Sequence, residues 1–319
     1  QGFSPHRKKD DRDDPRNNLL IAFAQICAHY EPEVLLMENV PQILSGRYEE
    51  YYDAASEVLK GAGYSLTEEK LNLNLYGVPQ ARKRAFVIGS RSDRIEVPDP
   101  IFTEDAAPTV RDAISHLEPI KSGETDPNDP MHKAPDHTDR ILKRIKKTPP
   151  DGGDRRSLSE DEQLDCHSSL DNSESSGFTD VYGRLRWDEP SVTITAKSST
   201  PSCGRFLHPE QHRNISTREA AILQGFPQSY EFDGPFLHRY RQIGEAVPPL
   251  FARFLAWEIL DHFRSPDPVP EVIESPKPKD LEEQEYGEGR LEVIDLFSGA
   301  GGLSLGFELA GYDTALAVD

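Results

Sequence analysis

The stretch "DLFSGAGGLSLGFELAG", residues 295–311, decides the fold of this 319-residue chain. An apolar run leads into three closely spaced glycines, Gly299, Gly301 and Gly302, and a second apolar pattern follows them. This order is typical of a strand, a tight turn that lets a ligand approach the backbone, and a helix. Asp319 ends the next apolar run, where an acid can accept hydrogen bonds from a ribose. Taken alone, the turn fits an ordinary strand–helix connection equally well.

Outward from this stretch, the chain alternates between strand and helix patterns. Asp14 and Pro15 start a helix that runs through "NNLLIAFAQICAHY", and "YEEYYDAASEVLKGAG" predicts an amphipathic helix that ends at Gly61. The short apolar runs in "EVLLMENV" and "RAFVIGS" are typical of buried strands. The alternation predicts an α/β fold with a doubly wound, parallel sheet.

Changes in pattern divide the chain into segments. From about residue 92 to about residue 205, short segments rich in Asp, Ser, Pro and Gly predict a smaller, irregular region. Regular structure returns where Ser216 and Glu219 form a capping box, and an acidic, Pro-rich stretch after "PPLFARFLAWEILDHF" is typical of a linker. The predicted segments are 1–91, 92–205, 206–264, 265–290 and 291–319.

The charge of the chain limits its possible partners. A net charge of −20 argues against nucleic acid, because contacts with phosphate need clustered Lys and Arg. The basic residues do cluster, however, at 7–9, 82–84, 143–147 and 155–156. We therefore hypothesise a protein from a high-salt source, with an acidic surface and basic clusters that line one cleft.

Cysteine and hydropathy patterns exclude several classes of protein. Cys27, Cys166 and Cys203 form no CxxC pair, and no histidine cluster has metal-ligand spacing. We expect no disulfide framework and no metal site, and a reducing cytoplasm as the location. No apolar run is long enough to span a bilayer, so no membrane association is expected.

The glycine stretch resembles the cofactor-binding motif of the DNA cytosine-5 methyltransferases. "QGFS" at residues 1–4 is similar to the second half of that family's Pro-Cys-Gln-Gly-Phe-Ser loop. "MENV" is similar to its Glu-Asn-Val motif, "VPQARKRAFVIGS" to its Gln-x-Arg-x-Arg motif, and "STREAAILQGFP" and "RQIGEAVPPLFA" to its last two motifs. The resemblance implies a Rossmann-like sheet of the S-adenosylmethionine-dependent type, with a target-recognition domain in 92–205. Segments 1–91, 206–264 and 291–319 would form the catalytic domain.

The order of these blocks departs from the family pattern. The cofactor motif, which normally comes first, here follows the predicted linker, so we expect a circularly permuted enzyme or part of a tandem pair. The family's nucleophilic cysteine would directly precede Gln1, and no cysteine of the sequence is followed by Gln-Gly-Phe. The Pro-Cys segment is therefore expected outside this sequence, and the chain alone is expected not to methylate DNA.

The resemblance also implies the chemistry. In the family, a thiolate adds to carbon 6 of cytosine, which activates carbon 5 to accept a methyl group from S-adenosylmethionine. Glu38, at the end of a predicted strand, would hold ring nitrogen 3 as a protonated acid. Arg82 and Arg84, two apart on an extended segment, would point to the same side. One would donate to the cytosine carbonyl oxygen, and the other would support the site through carboxylate or backbone contacts.

Further binding residues follow from the resemblance. Because the base must leave the duplex, the polar stretch after Gln1 would form the family's catalytic loop. Glu245 replaces the usual Asn of its motif and would pair with the ammonium group of the cofactor. The implied DNA-binding residues are Ser4, Arg7, Lys8 and Gln80, the last of which would also brace its turn. The implied cofactor-binding residues are Asp295, Phe297, Ser298, Gly299, Ala300, Gly301, Gly302, Asp319 and Glu245.

Together these patterns predict a DNA cytosine-5 methyltransferase that acts on a flipped-out cytosine in a specific duplex sequence. A restriction-modification or defence system is the expected setting. We expect the protein to be a monomer, with double-stranded DNA and a cognate restriction enzyme as its partners. Two alternatives remain open at this point. One is a catalytically inactive DNA-binding homologue, and the other is an RNA cytosine-5 methyltransferase, against which the sizeable variable region argues.

Overall fold

The structure is a computed structural model that describes residues 14–159, 180–263 and 290–318. The strands are β1 (Val34–Asn39), β2 (Ser65–Asn72), β3 (Gln80–Ala81), β4 (Lys83–Ser90), β5 (Thr125–Asp126), β6 (Asp129–Lys133), β7 (Ser191–Val192), β8 (Glu292–Asp295) and β9 (Asp313–Ala317). The α-helices are α1 (Leu19–Tyr30), α2 (Glu49–Gly61), α3 (Val110–Ile114), α4 (Asp139–Lys147), α5 (Thr217–Leu223), α6 (Phe236–Glu245), α7 (Pro249–Phe263) and α8 (Gly302–Glu308). No helix among these residues is both long and apolar enough to cross a membrane.

The chain forms two compact units. The first unit takes its described residues from 14–73, 83–100 and 254–263, and the second takes them from 74–82, 101–253 and 290–318. Helix α7 therefore begins in the second unit and ends in the first.

The first unit is a three-stranded sheet with helices α1 and α2 packed on it. Asp14 caps the turn that leads into α1, where its carboxylate accepts a hydrogen bond from the backbone N–H of Arg16 at 2.9 Å. The core includes apolar residues of α1, α2, β1 and β4, among them Ala24, Leu59, Met37 and Val87. The sequence patterns for these helices and for both strands are confirmed.

The strands of this sheet run antiparallel to their neighbours, contrary to the parallel pairing that we predicted. The strand order is β1-β4-β2, with Glu38 opposite Phe86 and Glu69 opposite the same residue. Helix α2 connects β1 to β2 as a crossover, so these two strands point the same way. Strand β4 follows a short connection that contains the 3₁₀ helix Leu73–Tyr76 and strand β3, and it inserts between β1 and β2 in the opposite direction.

The second unit packs many short elements around its own apolar core. The core is formed by residues from α3, β6, α5 and α6 and by residues 185–206, such as Val110, Met131, Ala221, Tyr240 and Phe206. Ser216 and Glu219 form the predicted capping box at the start of α5. The described elements between 92 and 205 are short.

The glycine stretch forms a β-turn-α-β unit within the second unit. Strands β8 and β9 pair in parallel, and α8 lies between them in the chain. Helix α8 ends at Glu308, earlier than the predicted end at Gly311, because Gly311 has φ 98° and cannot continue a helix. Ala300 and Leu305 pack against the core of the second unit.

Candidate active site

Glu38 and Arg84 form an ion pair at one end of the three-stranded sheet. The distance from Arg84 Nε to Glu38 Oε1 is 2.9 Å, and the two side chains are 16% and 19% exposed. Glu38 lies opposite Phe86 on β4, so Arg84 is its diagonal neighbour and reaches it easily. The pair is thus held by strand register and lies largely out of water while remaining accessible.

Arg82 occupies a different environment from Arg84. It is 2% exposed, and its guanidinium donates to three backbone carbonyl oxygens at 3.2 Å, those of Ile194, Gly244 and Ala246. Arg82 lies between β3 and β4 rather than within a strand, so the alternation that we used to predict a shared direction does not apply to this pair. The two arginines divide the roles: Arg82 binds backbone carbonyls and Arg84 binds a carboxylate.

Gln80 is a buried brace, and the DNA-binding role predicted for it is wrong. Its side chain is fully buried, and its amide nitrogen donates to the Leu223 carbonyl at 3.1 Å and to Gln224 Oε1 at 2.7 Å. Its amide oxygen accepts from the Ile194 N–H at 2.9 Å. Because all of these bonds are internal, the side chain has no free group to offer to DNA. The predicted bracing role is confirmed.

One short segment connects three of the family-like motifs. The Ala246 carbonyl accepts from Arg82 and also from Gln224 Nε2, the latter at 2.7 Å. The next carbonyl, that of Val247, lies where a Cβ on Gly302 would collide with it. The Gln-x-Arg block and the "LQGFP" block are therefore hydrogen-bonded to Ala246, and the glycine turn packs closely against Val247.

The glycine turn is held from within by Asp295. This buried carboxylate accepts from Ser304 Oγ at 2.7 Å and from the Phe297 N–H at 3.3 Å. The Gly301 N–H donates to the Ser298 carbonyl at 2.7 Å, and the Ser298 N–H donates to the Val318 carbonyl at 2.9 Å. Asp295 therefore shapes the turn through internal bonds rather than offering its carboxylate to a ligand.

The turn presents an open backbone and an exposed aromatic ring. Gly299 and Gly301 have φ values of 50° and 71°, which side-chain-bearing residues rarely adopt, and no atom lies within 4 Å of a Cβ built on Gly299. Phe297 is 59% exposed. The exposed aromatic surface and the open space beside Gly299 together suit a ligand with a planar heterocycle, and adenosine has one.

The remaining predicted site residues divide into two groups. Glu245 is the last residue of α6 and pairs with Arg241, Nε to Oε2, at 3.1 Å. An exposed pair of this kind is weak, so the carboxylate stays available to a stronger partner. Ser4, Arg7, Lys8 and Asp319 lie outside the described residues, as does the predicted linker up to residue 289.

Cys27 does not have the features of a nucleophile. Burial raises the pKa of the Cys27 thiol to about 11, which opposes thiolate formation. Cys203 is exposed and free, and Cys166 lies outside the described residues. Within the described ranges, no group of three or more His, Cys, Asp or Glu side chains could hold a metal ion.

Sequence reasoning missed one residue that contacts the turn directly. Tyr230 follows the "LQGFP" block by a few residues, and its hydroxyl donates to the Ala300 carbonyl at 2.7 Å. The aromatic run at 226, 230 and 232 is a signal of packing, but nothing in its spacing indicates a partner 70 residues away.

Comparisons with known proteins agree with the motifs that lie within residues 1–261. Residues 1–261 match the sequence model of the C-5 cytosine-specific DNA methylase family. The Type II methylase M.HgiDII of Herpetosiphon aurantiacus is 36% identical over 263 residues, which cover 81% of this chain and 73% of the relative. The Type II methyltransferase M1.HphI of Haemophilus parahaemolyticus is 32% identical over 265 residues, which cover 82% and 66%.

A solved structure supports the fold class. A prophage-encoded E. coli protein, described as a DNA modification methyltransferase, superposes with a TM-score of 0.57 at 22% identity. The match covers 78% of this chain and 75% of that protein. The mixed α/β fold that the sequence predicted is thus confirmed. From the family match and the relatives, we conclude that the chain belongs to the C-5 cytosine-specific DNA methylase family.

Proposed function

We propose that the complete protein transfers a methyl group from S-adenosylmethionine to carbon 5 of a cytosine rotated out of duplex DNA. The observation that carries this proposal is the Glu38–Arg84 pair, which combines a carboxyl group and a guanidinium on neighbouring strands. A cytosine ring offers a ring nitrogen and a carbonyl oxygen that match these two groups. The relatives named as Type II methylases support DNA as the substrate.

Glu38 is the group that would hold ring nitrogen 3, and Arg84 would donate to the carbonyl oxygen at position 2. Their low exposure strengthens such hydrogen bonds, because water competes poorly for them. Before cytosine binds, each group neutralises the other, so neither buried charge is left without a partner. In the exchange, Glu38 would leave Arg84 and bind ring nitrogen 3 together with a proton taken from solvent, because a carboxylate and this nitrogen are both acceptors, while Arg84 would donate to the carbonyl oxygen.

Arg82 and Gln80 would support this site without touching the base. Arg82 fixes three carbonyls and Gln80 fixes the adjoining β3–β7 pair, so both residues hold the segment that directly precedes β4 in the chain.

S-adenosylmethionine would bind at the glycine turn, and when bound it supplies the methyl group. Phe297 would stack on the adenine ring, and the backbone from Ser298 to Gly302 would accommodate the rest of the nucleoside. Asp319 would accept hydrogen bonds from the ribose, and Glu245 would exchange Arg241 for the ammonium group. The exposed ring of Phe297 and the open space beside Gly299 support this assignment.

Helix α4 offers cations to the DNA phosphates. Ile141, Leu142 and Ile145 pack the helix against residues 181–207, whereas Arg140, Lys143 and Lys146 are exposed. None of the three cations has a carboxylate partner among the residues that the structure describes. An exposed row of cations with no described carboxylate partner, in a chain of net charge −20, favours a polyanion as its partner. The helix lies in the 92–205 segment, which we propose as the target-recognition domain.

We further propose a monomer that works beside a cognate restriction enzyme, and we retain Ser4, Arg7 and Lys8 as phosphate contacts. The experiment incubates the complete protein with S-adenosylmethionine that carries a labelled methyl group and with duplex DNA of mixed sequence. We expect label on carbon 5 of cytosine at one short sequence. Label on adenine would contradict the family chemistry, and label on RNA alone would favour the RNA methyltransferase alternative. DNA binding without transfer would favour the inactive homologue.

A further inference from the structure

Tyr230 connects the catalytic-domain core to the glycine turn. Its hydroxyl donates to the Ala300 carbonyl at 2.7 Å, and both residues belong to the second unit. Tyr230 lies in the loop between α5 and α6, whereas Ala300 lies in the middle of the turn that precedes α8. The contact therefore joins two segments that are far apart in the chain.

This hydrogen bond fixes one end of a peptide group whose other end is also held. The N–H of Gly301 belongs to the same peptide group as the Ala300 carbonyl, and it donates to the Ser298 carbonyl at 2.7 Å. Rotation of this peptide group changes ψ of Ala300 and φ of Gly301, and Gly301, at φ 71°, has no Cβ to resist it. A peptide group that precedes a glycine therefore rotates at low cost unless both of its polar atoms are bonded. Tyr230 supplies the bond to the carbonyl.

Tyr230 is itself held firmly enough to act as an anchor. Its ring packs against Phe226 and Phe232, with 4.9 Å between the ring centroids in both contacts. Its own carbonyl accepts from Arg218 Nη1 at 2.7 Å, and Arg218 is bound to Asp129. Burial raises the pKa of the phenol, so the hydroxyl keeps its proton and remains a donor.

We propose that Tyr230 is a positioning residue for the cofactor: its hydroxyl holds the Ala300–Gly301 peptide in the orientation that S-adenosylmethionine requires. This role rests on the proposed binding of S-adenosylmethionine at the glycine turn. Tyr230 does not touch the reacting atoms; it acts through the backbone of the turn.

The test compares two variants of the complete protein, Tyr230→Phe and Tyr240→Phe. Tyr240 is the matched control, because it is fully buried and its hydroxyl donates to the Ile215 carbonyl at 2.8 Å, outside the turn. Calorimetric titration with S-adenosylmethionine should show roughly two- to tenfold weaker binding for Tyr230→Phe, the effect of one neutral hydrogen bond. Binding by Tyr240→Phe should match that of the unsubstituted protein.

Two further measurements separate positioning from a general loss of stability. Amide hydrogen exchange at residues 298–302 should accelerate in Tyr230→Phe and stay unchanged in Tyr240→Phe. In steady-state kinetics, KM for S-adenosylmethionine should rise in Tyr230→Phe while KM for DNA stays constant. Unchanged affinity and unchanged exchange in Tyr230→Phe would overturn the proposal, and so would equal weakening in both variants. Failure of the unsubstituted protein to bind S-adenosylmethionine would instead overturn the proposed function on which it rests.

Discussion

Glu38 and Glu69 lie on either side of Phe86 in the same sheet, and they provide a direct test of the catalytic acid. We expect Glu38→Gln to lower methyl transfer by the complete protein roughly 10²- to 10⁴-fold, because Gln cannot supply a proton to the ring nitrogen. Glu69 is exposed, so Glu69→Gln should leave the rate unchanged. The measurement is the single-turnover rate of labelled methyl incorporation. Equal rates in the two variants would remove Glu38 from the mechanism.

His208 makes the stability of the second unit depend on pH. Burial lowers the pKa of this histidine to about 4, and its Nδ1 accepts from the N–H groups of Glu210 and Gln211. The unfolded chain, with an ordinary histidine pKa near 6.5, therefore binds more protons than the folded chain between about pH 4 and 6.5. The free energy of unfolding should fall over this interval as the pH is lowered, by at most about 3 kcal/mol from this group.

The corresponding measurement is urea unfolding at several pH values. In His208→Gln, the dependence of the unfolding free energy on pH between 4 and 6.5 should become shallower. His238 is exposed, and His238→Gln should keep the dependence of the unsubstituted protein. If the two variants behave alike, His208 is not the group responsible.

Helix α4 permits a prediction about DNA binding. The triple variant Arg140→Gln, Lys143→Gln and Lys146→Gln should weaken DNA binding by the complete protein. The slope of log affinity against log salt concentration should become shallower by roughly 2.7, which is about 0.9 for each of three lost phosphate contacts. The measurement is fluorescence anisotropy with labelled duplex at several salt concentrations.

A control for this experiment removes the same amount of charge elsewhere. Arg91, Arg94 and Arg111 are each paired with a carboxylate, so replacing all three with Gln should leave the salt slope unchanged. An equal change of slope in the control variant would mean that only net charge matters. Helix α4 would then have no special role in DNA binding.

Local patterns predicted helices α1, α2 and α8 and strands β1, β4, β8 and β9, but not how the strands of the first unit pair. Strand β2 was missed because "SLTEEKLN" is largely polar and lies at the edge of its sheet. The antiparallel position of β4 was missed because strand order depends on long-range pairing, which periodicity does not encode. Motif resemblance identified Glu38, Arg82 and Arg84. The ion pair between Glu38 and Arg84 follows from register, so the sequence could not indicate which arginine would accompany the acid.

The charge of the whole chain predicts opposite salt responses for stability and for DNA binding. A net charge of −20 causes self-repulsion in the folded state, which salt screens as the Debye length falls from about 10 Å at 0.1 M to about 3 Å at 1 M. We expect the thermal midpoint of the complete protein to rise by several degrees between these NaCl concentrations, while DNA binding weakens. Scanning calorimetry measures the first effect. Near pH 5, close to the sequence isoelectric point of about 4.9, the net charge approaches zero and the salt response should shrink. A response of the same size would argue against repulsion as its cause.

The division of the chain between its two units has a consequence for biosynthesis. Residues 14–73 and 83–100 belong to the first unit, yet its last described piece is residues 254–263 of helix α7, where His262 bonds Ser92 at 2.9 Å. About 150 residues are translated between these pieces, which takes roughly 10–30 s at ribosomal speed. The first sheet therefore emerges from the ribosome well before the helix that completes its unit. During that interval, the first sheet lacks this helix, and chaperones can bind the surface that remains exposed.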